Sequence, residues 1–259
     1  RWPDVDFTAD VRKMDLRALG LIGGSGYSDL VMEVRAKGEL APDSLKGSVH
    51  MEDVSFCNDS LDLALGNIDL VSEREGGMPV MRLESSLADA VVKGPFYPTL
   101  LPKAVQGVLF GVFPALERPM DLPEDGQDFT FEVMVKDAQP LLNVLVPGLV
   151  LSKGSRATGN FNDRSAALAL NAYFTQVGYK GYVGDSLVVS VEKNMDLLAF
   201  KMESKGAVRK DSMEVRRLGI IGKAYQDKVL LQADWTGRKK GNAGDLDAQH
   251  WGVVGGLDY

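Results

Sequence analysis

Residues 30–40 read Leu30-Val31-Met32-Glu33-Val34-Arg35-Ala36-Lys37-Gly38-Glu39-Leu40. From Leu30 to Leu40 every second residue is apolar or small, and from Glu33 onward the residues between them are charged. A period of two puts successive side chains on opposite faces of an extended chain. The stretch therefore predicts a β-strand with one apolar and one charged face.

The same period recurs along the chain. Leu45, Gly47, Val49 and Met51 alternate with Lys46, Ser48, His50 and Glu52, and Leu61, Leu63 and Leu65 alternate with Asp62, Ala64 and Gly66. Phe129, Phe131, Val133 and Val135 are interleaved with Thr130, Glu132, Met134 and Lys136. Further sets are Ala166, Leu168, Leu170 and Ala172; then Leu187, Val189 and Val191; then Val229, Leu231, Ala233 and Trp235. Two strands change phase midway, from Met51 to Val54 and Phe56, and from Leu65 to Ile68 and Leu70. One extra residue exchanges the faces of a strand, so each change predicts a β-bulge or a break, with Gly66-Asn67 the site of the second.

Turn signals at Asn58-Asp59-Ser60, Gly76-Gly77, Asn162-Asp163 and Gly241-Asn242 leave connections too short for parallel crossovers. The strands are therefore expected to pair antiparallel. Two stretches break the pattern. Leu101, Ala104, Val105, Val108, Leu109 and Val112 fall at helical spacing within 98–113, with Thr99 as a cap and Pro114 as the stop. Residues 138–146 form a second short helix candidate, with Asp137 as its cap and Pro147-Gly148 at its end. Pro119, Pro123, Glu124, Asp125 and Gly126 mark 117–127 as a connection. It divides a first β-rich segment, 1–116, which ends in a short helix, from a second, 128–259.

The 259 residues carry 29 Lys and Arg against 36 Asp and Glu, a net charge of −7. That balance disfavours nucleic acid as a partner, because such binding works through basic surfaces. Hydrophobic residues make up 45% and charged residues 25%, which is globular and not disordered. Gly is abundant at 28, while there are only two His and one Cys. A single Cys excludes an internal disulfide. The chain begins with Arg1 and shows no signal pattern, and it reads as a piece of a longer protein.

Few residues carry chemistry. Gly23-Gly24-Ser25-Gly26-Tyr27 lacks the last Gly of a nucleophile elbow and precedes a strand, not a helix. Cys57 has no His near it in sequence, and His50 lies on the polar side of a strand, far from His250. Asp4/Asp6 and Asp245/Asp247 do not continue into a calcium loop, and no phosphate-binding Gly pattern occurs. Arg209-Lys210, Arg216-Arg217 and Arg238-Lys239-Lys240 read as a solvated edge, with anionic headgroup contact as a second reading. No catalytic residue, metal ligand or cofactor is expected, and the chain reads as a non-enzyme. What remains is the apolar face. It packs on a second sheet, closes into a barrel or lines a groove, and periodicity alone does not choose.

Several stretches resemble the TamB-type translocation and assembly module proteins of the AsmA-like superfamily, from diderm bacterial envelopes. Leu45-Lys46-Gly47-Ser48-Val49-His50-Met51 places Gly ahead of an alternating strand, and Ala157-Thr158-Gly159-Asn160-Phe161 echoes it. Ser85 to Phe96 runs through Leu87-Ala88-Asp89-Ala90 and Lys93-Gly94-Pro95-Phe96 into the helix ending at Phe113-Pro114-Ala115-Leu116. Asp137 to Gly154 carries a Leu-rich helix ending in Pro147-Gly148-Leu149, followed by Ser152-Lys153-Gly154. The resemblance implies a mainly β fold: a long curved antiparallel sheet, a β-taco or half-pipe with an apolar groove, and one or two short helices. It further implies a periplasmic segment of a protein anchored in the inner membrane. Such proteins are implicated in moving phospholipid to the outer membrane and in outer-membrane protein assembly and secretion with a barrel partner.

In such a groove the lining is expected from Leu30, Met32, Val34, Leu45, Val49, Met51, Leu61, Leu63 and Leu65 of the first segment. The second segment would supply Phe129, Phe131, Val133, Leu168, Leu170, Leu187, Val189, Val191, Val229, Leu231 and Trp235. The cargo would be phospholipid or another acyl chain. The alternative is a closed β-sandwich binding module whose apolar faces pack in a dry core.

Overall fold

The structure, a computed structural model, describes residues 4–15, 28–41, 44–58, 61–116, 126–205, 207–210, 213–239 and 246–256. The first segment contributes β1 (Asp4–Asp15), β2 (Ser28–Ala41), β3 (Ser44–Asn58), β4 (Leu61–Glu75), β5 (Met78–Ser85) and β6 (Ala88–Lys93). A 3-10 turn, Pro98–Leu100, leads into α1 (Leu101–Phe110). Then follow β7 (Asp128–Val135), α2 (Gln139–Leu145), β8 (Leu149–Leu151), β9 (Arg156–Asn162), β10 (Ala167–Tyr179) and β11 (Tyr182–Asn194). The chain ends with β12 (Leu197–Ser204), β13 (Ala207–Lys210), β14 (Met213–Tyr225), β15 (Lys228–Lys239) and β16 (Leu246–Gly256).

All the described strands belong to one antiparallel sheet, ordered β1-β2-β3-β4-β5-β6-β7-β9-β10-β11-β12-β14-β15-β16. The short β8 pairs with β10, and β13 bridges β11 and β14. The sheet is open, with β1 and β16 at its edges, and at a typical spacing of ~4.8 Å its fourteen-strand path is about 60 Å wide. No second sheet faces it among the described residues, so the sandwich alternative does not describe this fold. β6 pairs directly with β7, so the sheet runs unbroken from the first segment into the second. Of the connection expected between them, residues 117–125 lie outside the described residues.

The bulges fall where the hydrophobic phase changes. In β3 the register with β4 shifts between Met51 and Val54, at Asp53, whose φ is +51°. Its partner strand absorbs the change at Gly66, whose φ is +72°. Val54, Phe56 and Leu65 consequently return to the apolar face, where they are buried with Met32. In β14 a shift between Arg216 and Gly219 has the same form, with Arg217 at φ +51°. The turn at Gly76-Gly77 and that after Asn162 join strands as expected, whereas Asp59-Ser60 and Gly241-Asn242 lie outside the described residues.

Both helices form where expected, but not through the expected caps. Leu100 and Ala138 occupy the N-cap positions, and neither donates or accepts a side-chain cap bond. Thr99 is drawn into the 3-10 turn, and Asp137 lies one residue too early. Packing holds these helices. Ala104 and Val108 of α1 bury themselves against Phe129 and Phe161. Leu141 of α2 packs on the cluster around Met32, Val54, Phe56 and Leu65. Gln139 adds a second hold on α2: its Nε2 donates to the Leu149 carbonyl at 2.8 Å, and its Oε1 accepts from Leu151 N–H at 2.9 Å.

Gly38 and Gly47 face each other across β2 and β3 at φ +122° and +149°. A Cβ on Gly47 would stand 2.0 Å from the Lys37 carbonyl oxygen, and one on Gly38 would stand 2.1 Å from that of Lys46. The backbones approach too closely for any other residue. Gly47→Ala is expected to lower stability by about 2 kcal/mol or more. Gly76→Ala, at φ +58° with open space around it, is expected to cost only about 1 kcal/mol. Urea unfolding of the two variants checks the ranking.

Candidate functional site

Antiparallel partners directly opposite each other share a face. One row of partners can be followed through every strand of the path. It runs Phe7, Ala36, Val49, Leu70, Leu83, Ala90 and Val133, across β1 to β7. It continues through Ala157, Ala172, Val189, Met202, Ile220, Ala233 and the register position of Trp251. Every position in it is apolar. The adjacent row on this face starts at Val5 and includes Met81, Val92, Phe131, Leu170, Val191, Phe200 and Leu231, with Gly38, Gly47, Gly159 and Gly222 between them. Ser72 is its polar member.

The opposite face carries charge. There Arg35 pairs with Glu33 at 3.0 Å and Glu52 at 3.3 Å, Lys46 with Glu39 at 3.1 Å, and Lys201 with Glu203 at 2.8 Å. His50 Nδ1 lies 2.6 Å from Asp69 Oδ1 on this face. Exposed pairs of this kind contribute little stability, about 0–1 kcal/mol each, but they keep one face in water.

The apolar face is only partly covered. The helices leave the sheet at opposite rims. α1 lies along the rim formed by the β9–β10, β11–β12 and β14–β15 turns; Asp227 N–H donates to Val112 O at 3.0 Å, and Asp227 Oδ1 accepts from Ala115 N–H at 3.1 Å. α2 lies on the other rim, over the Met32–Phe56 cluster. Between them the two rows form a trough. Phe7 and Leu231, large side chains of these rows, are 45% and 38% exposed. The total accessible surface of 16053 Å² exceeds the roughly 11,000 Å² of a compact monomer of this mass.

The expected lining residues divide accordingly. Leu30, Met32, Val34, Met51, Leu63 and Leu65 sit in or against the cluster that α2 covers. Phe129, Phe131 and Leu168 belong to the α1 cluster, where Phe96 meets Phe129 edge-on at 4.9 Å between ring centres. Val49, Val133, Leu170, Val189, Val191 and Leu231 occupy the open rows, and Leu187, Val229 and Trp235 extend the same face toward the rims. The side chains of Leu45 and Leu61 lie outside the described residues. Leu70, Leu83, Phe200 and Met202 were not expected in the lining, although Leu198, Phe200 and Met202 alternate with Ala199, Lys201 and Glu203 in the sequence.

A buried charge also lies on this face. Lys193 stands opposite Leu168 and Leu198 and is buried beneath the end of α1. Its Nζ donates to Ala166 O at 2.9 Å and to Met195 O. Burial pushes its pKa below the ordinary 10.5, with Asp196 opposing the shift. Cys57 donates to Asp62 Oδ1 at 3.3 Å, and that bond together with burial raises its pKa, which makes it a poor nucleophile. Among the described residues no cluster of three His, Cys, Asp or Glu could hold a metal ion, and no helix is long and apolar enough to cross a membrane. No family model, no curated protein and no solved structure matches the chain.

Lys193 gives a signed pH dependence. The unfolded chain holds this proton more tightly than the folded one, so stability from this group rises with pH between the lowered folded value and 10.5. Lys193→Met removes that dependence and leaves the Ala166 and Met195 carbonyls without this donor, at a cost of about 1 kcal/mol or more. Urea midpoints of both proteins should diverge as pH climbs toward 10.5, the parent gaining on the variant; parallel curves would refute the assignment.

Proposed function

We propose that the trough solvates acyl chains, and that the protein is a periplasmic segment of an envelope protein carrying phospholipid toward the outer membrane. The observation supporting this is the unbroken apolar row across fourteen strands, on a face that no second sheet covers among the described residues. Moving an acyl chain of about 16 carbons from a bilayer into water costs about 13 kcal/mol, at ~0.8 kcal/mol per CH₂. A continuous surface of Leu, Val, Met and Ala offsets most of that cost, and no chemical step is needed. Met81 and Met202 suit a variable cargo, because an unbranched thioether adapts to irregular partners.

The resemblance to TamB-type, AsmA-like proteins supports the same reading, because it rests on the Gly-led strands and Pro-ended helices that shape the trough. It extends the proposal to an inner-membrane anchor on the parent protein, an outer-membrane barrel as partner, and a part in outer-membrane protein assembly and secretion. Under this reading the protein is not an enzyme and takes no cofactor.

Leu63 and Leu168 pack in the clusters that the helices cover, so a charge there would test folding and not loading. Val189 and Met202 are directly paired in the open row and are the better probes. The parent protein is expected to yield phospholipid on solvent extraction and to show lipid-bound masses by native mass spectrometry. Val189→Glu with Met202→Glu should lower bound lipid at least about tenfold while circular dichroism keeps its β signature. A folded parent protein free of lipid after exposure to phospholipid vesicles would overturn the proposal.

A further inference from the structure

The basic clusters, scattered in sequence, converge in the fold. Strand β13 pairs Val208 with Val215 and Arg209 with Glu214, while β14 pairs Glu214 with Arg238 and Met213 with Lys239. Arg209, Lys210, Arg216, Arg217, Arg238 and Lys239 therefore occupy three adjacent strands beyond one rim of the trough. The β10–β11 turn joins them there, because Val183 of β11 pairs with Arg209. At positions 179–183, 205, 207–210, 213–217 and 237–239 stand eight Lys or Arg and one acid, Glu214, in a chain whose net charge is −7. The acids just inside this flap have partners: Asp185 accepts from Gln176 Nε2 at 2.9 Å, and Glu203 pairs with Lys201.

The same flap exposes aromatic and aliphatic groups. Tyr179 and Tyr182 face each other across the turn, each 48% exposed, and the Lys180 ammonium sits 5.1 Å from the Tyr179 ring centre. Val146, also exposed, is brought close by the bond from Lys180 N–H to Gly148 O at 3.0 Å. Tyr rings beside Lys and Arg suit the headgroup layer of a bilayer, where an apolar body and a polar tip both find partners. Clustered cations suit an anionic one.

We infer that this flap docks the rim of the trough onto an anionic membrane surface. The contact combines electrostatic attraction with shallow insertion of Tyr179, Tyr182 and Val146. It goes beyond the acyl-chain reading and rests on different residues: extracted lipid reports on the trough and vesicle binding reports on the flap, so either can fail alone.

The test is co-sedimentation of the full chain with vesicles of phosphatidylcholine alone and of phosphatidylcholine mixed with phosphatidylglycerol. Binding is expected only to the mixed vesicles and should weaken as salt shortens the screening length from ~10 Å toward ~3 Å. Lys180→Glu with Arg217→Glu, both exposed positions, should weaken it about tenfold or more. Tyr179→Ser with Tyr182→Ser should weaken the part that survives high salt. Lys103→Glu with Lys228→Glu, on the opposite rim, should leave binding unchanged, and melting curves confirm that each variant folds. Equal binding to both vesicle types, no binding to either, or equal loss from the opposite-rim variant would overturn the inference. So would duplex DNA binding as tight as vesicle binding together with no effect of the Tyr changes, since that marks a general polyanion patch.

Discussion

Everything in this fold depends on cross-strand register. A one-residue slip anywhere along the path would send half of an apolar row to the charged side. The register therefore has to be corrected wherever a strand gains a residue, and the bulges at Asp53 and Arg217 are where that happens. Both are non-glycine residues in left-handed backbone, a conformation that costs about 1–3 kcal/mol. The cost is tolerated because the correction restores Val54, Phe56 and Leu65 to the apolar side in one case and keeps Ile220 in the central row in the other.

An open sheet with one apolar face has two exposed features to manage, the face and the edges. The face is managed by two short helices that cover its rims and leave its middle. The edge strand β1 is managed by charge: Asp4, Asp6, Asp10, Arg12, Lys13 and Asp15 crowd one strand, and Arg12 pairs with Asp10 at 3.1 Å. Charged side chains on an edge discourage pairing with another chain. Lys193 lies beneath the end of the α1 cover, near Gly111. Burying an ammonium needs acceptors for its N–H groups, and here the Ala166 and Met195 carbonyls take two of the three.

Most of the sheet was legible in the sequence because period-two alternation is a direct record of two unlike faces. The phase changes at Met51 and Leu65 were legible for the same reason, since a bulge leaves its mark as a broken alternation. The helix caps were misread because Thr99 and Asp137 have capping chemistry but not capping position; burial of Ala104, Val108 and Leu141 decides these helices instead. Which apolar residues line the open trough was not legible. Leu63 and Val189 look alike in one dimension, and only the path of α2 separates a covered position from an open one. The convergence of Arg209, Arg216 and Arg238 was hidden too, because pairing of β13 with β14 and of β14 with β15 creates it.

The chemistry of the two rows also selects between kinds of apolar guest. A polypeptide laid along them would bring a backbone N–H and C=O with every residue, and each buried group without a partner costs about 1–3 kcal/mol. From Phe7 to Ala233 of the central row no side chain offers a hydrogen bond, and in the adjacent row Ser72 is the exception. An extended strand gains more at an edge such as β1, where main-chain groups meet main-chain groups. A hydrocarbon chain has no such demand, and its favourable transfer grows with every methylene in contact. The small residues strengthen this preference. Ala90, Ala157, Ala172 and Ala233 keep the floor of the central row low between the larger Leu, Val and Met side chains, while the rings of Phe131 and Phe200 fill the space over Gly159 and Gly222 in the adjacent row. Such a floor fits a slender, flexible guest better than a second pleated strand, whose own side chains would need matching hollows.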